Sequence, residues 1–258
     1  MRRPACTNLP LLVLLIAACM PLPAVTRAHA GEGGFRLLEM QGRTVKWGKP
    51  QLGAGASVSY AFASETLHFG NERTWFENAP NCRDMASAES LSGAKLTMEE
   101  LARETAAAFR VWERAASLTF HRVADARNAD IVIGAQGQPR RWAFANLSYT
   151  VESREGVHTI DKALVCLNPE KAWKVGFDGD KDVYDIRYTL VHEIGHAIGL
   201  DHPGPSGQVM AFRYTEAFQD LQPGDLRGVQ LLYGPARPDS NEVPQRSGQH
   251  RPSQHPDP

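Results

Sequence analysis

Two histidines and a glutamate in the segment Val191-His192-Glu193-Ile194-Gly195-His196 have the spacing at which a helix builds a metal centre. Positions four apart share a helical face, so His192 and His196 present two imidazoles to one ion, with Glu193 beside the open coordination position. Gly199 is where such a helix can stop, because glycine enters the left-handed conformation cheaply. The chain then turns back and can deliver His202 as a third ligand. Three neutral nitrogens leave one tetrahedral position for water, the open-site arrangement of catalytic rather than structural Zn2+, and one ion per chain is expected. The expected chemistry is hydrolysis. The ion lowers the pKa of water towards about 7 and polarises a carbonyl, while Glu193, the catalytic general base, takes the water proton and passes it to the leaving amine. Asp185 and Asp201 are candidates for orienting a ligand imidazole through its second nitrogen.

Such a helix needs a scaffold. Residues 57–62 alternate as in a half-buried strand. Thr97-Met98-Glu99-Glu100 has capping-box spacing, and Leu101, Thr105, Ala108, Phe109, Trp112 and Ala116 follow at helical intervals, which predicts an amphipathic helix with Phe109 and Trp112 as core anchors. Residues 118–123, 129–134, 142–149 and 157–167 read as strands. Between Ser64 and Ala94 polar and small residues dominate, predicting a long irregular excursion pinned by Cys82. A strand, a helix and then several strands imply an α+β fold, a mixed sheet backed by that helix.

The 258 residues suffice for one sizeable core. With 28 basic against 29 acidic residues, no electrostatic reason exists to expect nucleic acid or an anionic membrane as partner. Arg2 and Arg3 precede an apolar run, Leu9 to Ala18, that is too short for a transmembrane span and has signal-peptide order. The expected organisation is a signal peptide at 1–30, a catalytic domain at 31–234 and a disordered Pro-rich tail at 235–258. A secreted protein, extracellular or periplasmic, follows from cleavage after Ala28-His29-Ala30. The alternative lipoprotein box Ile16-Ala17-Ala18-Cys19 would instead leave a lipid anchor at Cys19. Two of the four cysteines lie in the leader, and for the remaining pair, Cys82 and Cys166, a disulfide is the default in an exported chain. Pro80-Asn81-Cys82-Arg83-Asp84 also resembles a latency peptide whose thiolate plugs a zinc site.

Around the zinc helix the chain resembles the metzincins, and the wider pattern resembles their matrixin branch. Met210, eight residues beyond His202, has the spacing of the methionine turn that packs beneath the three ligands, and Tyr214 fits the tyrosine that follows it. Residues 221–234 are similar to the closing helix of that family, and 109–112, 118–120 and 129–131 to its first helix and next strands. The resemblance runs from about Val45 to Gly234. It implies a metzincin-like zincin fold: a twisted mixed β-sheet with a backing helix, a zinc-site helix and a C-terminal helix. It also implies a zinc endopeptidase whose polypeptide substrate lies extended and antiparallel to an edge strand at 142–149. On this alignment Cys82 follows the first strand, whereas a latency cysteine would precede it, which supports the disulfide.

Several positions depart from the matrixin pattern. Pro203 stands where matrixins have Ser, and resembles the serralysin branch. No His-Gly-Asp element precedes the zinc helix, so a second, structural zinc is not expected, and His158 reads as a lone surface histidine. Phe212 replaces a proline in the wall of the primary specificity pocket. Asp178-Gly179-Asp180-Lys181-Asp182 sets hard oxygens at alternating positions, as for Ca2+, but fails the EF-hand pattern; the alternative is a solvated acidic loop leading a helix. Two other functions fit the short motif: a zinc-bearing binding protein that does not cleave, and a different zinc amidohydrolase of deformylase or cell-wall amidase type. Glu193 speaks against the first, and the third histidine with the Met210 spacing against the second.

Overall fold

The structure, a computed structural model, describes residues 34–67, 69, 74–75, 82–85, 96–138, 141–151 and 156–237. The leader at 1–30, Cys19 and most of the 235–258 tail lie outside the described residues.

Twelve strands and three helices are described: β1 Arg36–Leu37, β2 Glu39–Met40, β3 Arg43–Lys46, β4 Ala56–Phe62, β5 Cys82–Arg83, α1 Met98–Ala115, β6 Leu118–Arg122, β7 Ile131–Gln136, β8 Ala143–Thr150, β9 Val157–Leu167, β10 Trp173–Lys174, β11 Tyr184–Asp185, α2 Ile186–Ala197, β12 Leu200–Asp201 and α3 Pro223–Tyr233. Eight strands form one mixed sheet in the order β2-β3-β9-β7-β4-β6, with β8 on the far side of β9 and β5 beside β7. β4 and β6 are parallel and joined through α1, the crossover that a parallel pair requires. β8 runs antiparallel to β9 and forms an edge of the sheet.

α1 begins where local chemistry says it should. The Thr97 hydroxyl accepts the Glu100 amide at 3.1 Å, and the Glu100 carboxylate accepts the Thr97 amide at 2.9 Å. Its expected apolar stripe is buried, and Trp112, fully enclosed, donates its indole N–H to the Val191 carbonyl at 3.0 Å, tying α1 to α2. α2 is buried nearly all round, the signature of a helix running through the core.

β7 divides its side chains between the two faces of the sheet. Ile131 and Ile133 join the main core under α1 and α2, and Val132 joins a smaller cluster with Cys82 and Cys166. Those cysteines form a buried disulfide, Cα–Cα 5.3 Å, linking β5 to β9. The thiol of Cys82 is thereby consumed within the core, which overturns the latency alternative.

The expectation of a surface His158 is corrected as well. It is 1% exposed and stacks on Tyr149 with ring centroids 5.3 Å apart. A period-2 reading of β9 treats one face as wet, but β9 is flanked by strands on both sides and covered on both faces. The two-residue strands were also beyond periodicity. β1 pairs with β12 across most of the chain, and β10 pairs in parallel with β11. Among the described residues no helix is long and apolar enough to cross a membrane.

Candidate metal centre and active-site cleft

α2 carries His192 and His196 towards one side, and β12 brings His202 to meet them. The three Nε2 atoms stand 3.1 to 3.2 Å from one another. Two imidazole nitrogens on a tetrahedral zinc at about 2.0–2.1 Å would lie about 3.3 Å apart, so the trio has the dimensions of a three-nitrogen zinc site. Their protonation agrees. His192 Nδ1 donates to the Val209 carbonyl at 2.7 Å and His196 Nδ1 to the Leu200 carbonyl at 2.8 Å. A carbonyl only accepts, so the proton is on Nδ1 and the Nε2 lone pairs face each other. Lone pairs so placed repel unless a cation lies between them. Burial pushes His192 down to about 4 and His196 well below its usual value, so both rings stay neutral and able to ligate at neutral pH. Among the described residues this is the one group of three or more side chains able to hold a metal ion.

The carbonyls of Val209 and Leu200 hold the His192 and His196 rings, the role expected of Asp185 or Asp201. Asp185 instead caps α2: its carboxylate accepts the Tyr188 amide at 2.7 Å and the Gly176 amide at 2.6 Å. Asp201 accepts the His202 amide at 2.7 Å and pairs with Arg36 at 3.0 Å, while its carboxylate lies 3.8 Å from the His202 ring.

Gly199 has φ +98°, and a Cβ there would meet the Val45 carbonyl oxygen at 2.2 Å, so the turn that delivers His202 needs glycine on two counts. Met210 is buried beneath α2: a Cβ added at Gly195 would lie 2.2 Å from its sulfur. The turn that holds Met210 is itself held by a residue the sequence reading missed. Asp225, buried at the start of α3, accepts the amides of Val209 at 2.9 Å and Met210 at 3.1 Å. Its position three residues into a Pro-led helix is a capping signal, but nothing local reveals that it also reaches a turn elsewhere in the chain.

Glu193 lies at the bottom of a cleft of about 750 Å³ that also exposes the histidines. Burial raises its carboxyl to about 8, against a hydrogen bond from the Ala145 amide that lowers it, and a cation on the adjacent histidines would lower it further, towards the ionised form that a base needs. Ala145 belongs to β8, so the cleft runs along the sheet edge. One wall is aromatic: Trp142 stacks on Tyr184 with centroids 4.1 Å apart, Tyr184 stacks on Tyr214 at 4.1 Å, and Tyr188 meets Tyr214 edge-on at 5.1 Å. Tyr214 accepts the Asp185 amide at 3.0 Å and donates to Glu216 at 2.8 Å, which fixes that wall to the start of α2. Phe212 is 59% exposed at the rim, its ring 6.0 Å from that of His202. The acidic loop at 178–182 wraps a lysine: Lys174 Nζ bonds Asp178 and Glu216, and Glu216 also accepts the Gly179 amide at 2.7 Å. An ammonium thus sits among the oxygens that suggested calcium.

A mixed sheet whose edge strand borders a three-histidine centre, with a buried glutamate beside it and a methionine below, defines a metzincin fold of α+β class. The matrixin family model (peptidase M10) matches residues 85–234, and the chain belongs to that family. Matrixins are zinc enzymes, and the three histidines here are able to hold the ion. The chain is 32% identical to stromelysin-3 of Rattus norvegicus over 146 residues, 54% of this chain and 28% of that protein. It is 27% identical to metalloendoproteinase 4-MMP of Arabidopsis thaliana over 178 residues, 65% of this chain and 50% of that protein. Its match to interstitial collagenase of Sus scrofa is 27% over 162 residues, 58% of this chain and 32% of that protein. The aligned regions thus span half or less of these relatives.

Proposed function

We propose that this chain is a secreted zinc-dependent endopeptidase, with His192, His196 and His202 as metal ligands and Glu193 as general base. The observation that carries the reading is the placement of the Glu193 carboxyl: buried, beside three lone-pair nitrogens, and open to a cleft along a sheet edge. Bound zinc supplies Lewis-acid polarisation of the scissile carbonyl and acidification of water. Glu193 accepts the proton of the attacking water and delivers it to the leaving amine. The substrate polypeptide lies extended along β8 by main-chain pairing, and the aromatic wall takes the side chain that follows the cleaved bond. Met210 and Gly199 support the ligands from below and behind, and Tyr214 steadies the wall. Export is supported by the charged-then-apolar order of residues 1–30 and by the disulfide; the tail at 235–258 lies outside the catalytic domain at 31–234.

Zinc content by elemental analysis, together with casein or gelatin cleavage by wild type and Glu193→Ala, tests this reading. One zinc per chain in both proteins, with cleavage in wild type alone and its loss to a chelator, is the expected result. Zinc without cleavage of any peptide in a broad library would favour a binding role, and a folded chain that takes up no zinc would refute the assignment.

A further inference from the structure

The edge of β8 is already partly occupied by the chain itself. In the antiparallel β8–β9 pair, outward and inward amide groups alternate along β8. The outward groups include the Ala145 amide, taken by Glu193, and the Leu147 carbonyl, which accepts the Trp75 amide at 2.9 Å. Thr74 bridges Ser148 in antiparallel sense, and the Trp75 ring lies 5.2 Å from that of the metal-side His196, tilted by 57°. Residues 74–75 therefore run along β8 in the direction an antiparallel substrate would take. Downstream in the same excursion, Cys82 is fixed to Cys166 of β9, and the Leu67 amide donates to the Cys82 carbonyl at 2.8 Å.

An antiparallel peptide on β8 places its N-terminal residues towards Ser148 and its C-terminal residues towards Ala143. The bond facing Glu193 lies near Ala145, and the edge beyond Leu147 is filled. We infer that Thr74 and Trp75 close the half of the cleft that receives residues N-terminal to the scissile bond, so that substrates are selected by the residues C-terminal to it. At about 3.3 Å per strand residue, only about two residues before the bond find an open edge. Among the described residues the other half of the cleft is not covered in this way: it leads past Ala143 to the wall of Trp142, Tyr184 and Tyr214. This specificity rests on the peptidase reading and on the metal centre at His196.

Two peptide series test the inference. In the first, fluorogenic substrates share one C-terminal side and carry one, two, three, four or six residues before the cleaved bond. Wild-type kcat/KM should rise to two residues and then level off. Trp75→Pro removes the amide donor and Trp75→Ala removes the ring. In Trp75→Pro, with the disulfide and zinc content intact, the ratio of kcat/KM for the longest substrate to that for the two-residue substrate should rise about tenfold, as expected for one or two recovered main-chain hydrogen bonds, whereas Trp75→Ala keeps its amide on the Leu147 carbonyl and should leave the ratio near the wild-type value. A wild-type rate that climbs through the whole series, with the same ratio in Trp75→Pro, would overturn the inference. The second series uses peptide hydroxamates extended on the N-terminal side of the metal-binding group, with affinity measured by calorimetry. If no substrate is cleaved, the peptidase reading fails, while hydroxamate affinity still reports the edge. A plateau after two residues supports closure, and a continued rise refutes it.

Discussion

The carboxylate of Asp225 accepts the backbone amide of Met210 at 3.1 Å, so the start of α3 directly holds the floor of the metal centre. The same carboxylate binds the amides of Val209 and Gln222, each at 2.9 Å, and Val209 in turn orients His192 through its carbonyl.

Asp225→Asn leaves at least one of those three buried amides without its acceptor. A loss of about 2–3 kcal/mol in urea unfolding is expected. Because the residue acts on a ligand ring through Val209, zinc affinity in a chelator competition should also fall by roughly 10- to 100-fold. A variant with wild-type zinc affinity would show that the Met210 turn holds its place without the carboxylate.

Three glycines near the site should rank in order when changed to alanine. Gly199→Ala adds a left-handed strain of about 1–2 kcal/mol to a backbone collision and should be the most damaging, with His202 displaced and zinc lost. Gly195→Ala drives a methyl into the Met210 sulfur and the Trp112 ring, an overpacking cost of about 1–3 kcal/mol. Gly204→Ala meets nothing within 4 Å and should behave as wild type. Melting temperatures of the three variants check the order.

The Cys82–Cys166 disulfide closes a separation of 84 residues in sequence. Replacing both cysteines by serine should cost about 2–5 kcal/mol, read by denaturant titration. An unchanged midpoint would mean that the strand pairing of β5 with β7 suffices to hold the excursion.

Lys46 is fully buried, with its ammonium donating to the carbonyls of Trp47 and Lys49, each at 2.7 Å, over the Tyr233 ring. Burial lowers it from 10.5 to about 8. The folded state therefore releases this proton more readily than the unfolded chain. Below about pH 8 the charge is carried in both states and its burial opposes folding. Between pH 8 and the unfolded value the unfolded state binds more protons, so this group's contribution to stability rises with pH. Wild type minus Lys46→Met, compared by denaturant titration at pH 7, 8, 9 and 10, should show wild type gaining relative stability through that window. A flat difference would place the lysine pKa at its usual value.

The parts of the site that were legible in sequence are those whose causes are local. Helical periodicity puts His192 and His196 on one face, a glycine ends α2, and Thr97 with Glu100 opens α1 by capping geometry that needs no tertiary partner. The longer strands of the main sheet, β4 and β6 to β9, were legible as segments rich in apolar and β-branched residues, whereas the two-residue β2 and β5 and the short β3 were not. What holds the rings was not. The Val209 and Leu200 carbonyls carry no residue-type signal, Asp225 reaches a turn made by other residues, and Trp75 lies in a stretch with no periodicity. Asp185 was singled out for its carboxylate, but the Tyr188 amide of α2 and the Gly176 amide take its two oxygens. His158 was misplaced because one strand's pattern does not show what covers its second face.

The pairing of β1 with β12, reinforced by Arg36 on Asp201 and by the Leu38 amide on the Gly199 carbonyl at 2.8 Å, sets an order of assembly. The first described strand has to find the segment that carries the last ligand, and Asp225 has to arrive from still further along before the floor is fixed. Metal affinity is therefore a property of the completed domain. A chain still emerging from synthesis holds the two helical histidines without the third, and its full hold on zinc comes only after the two ends of the domain have met.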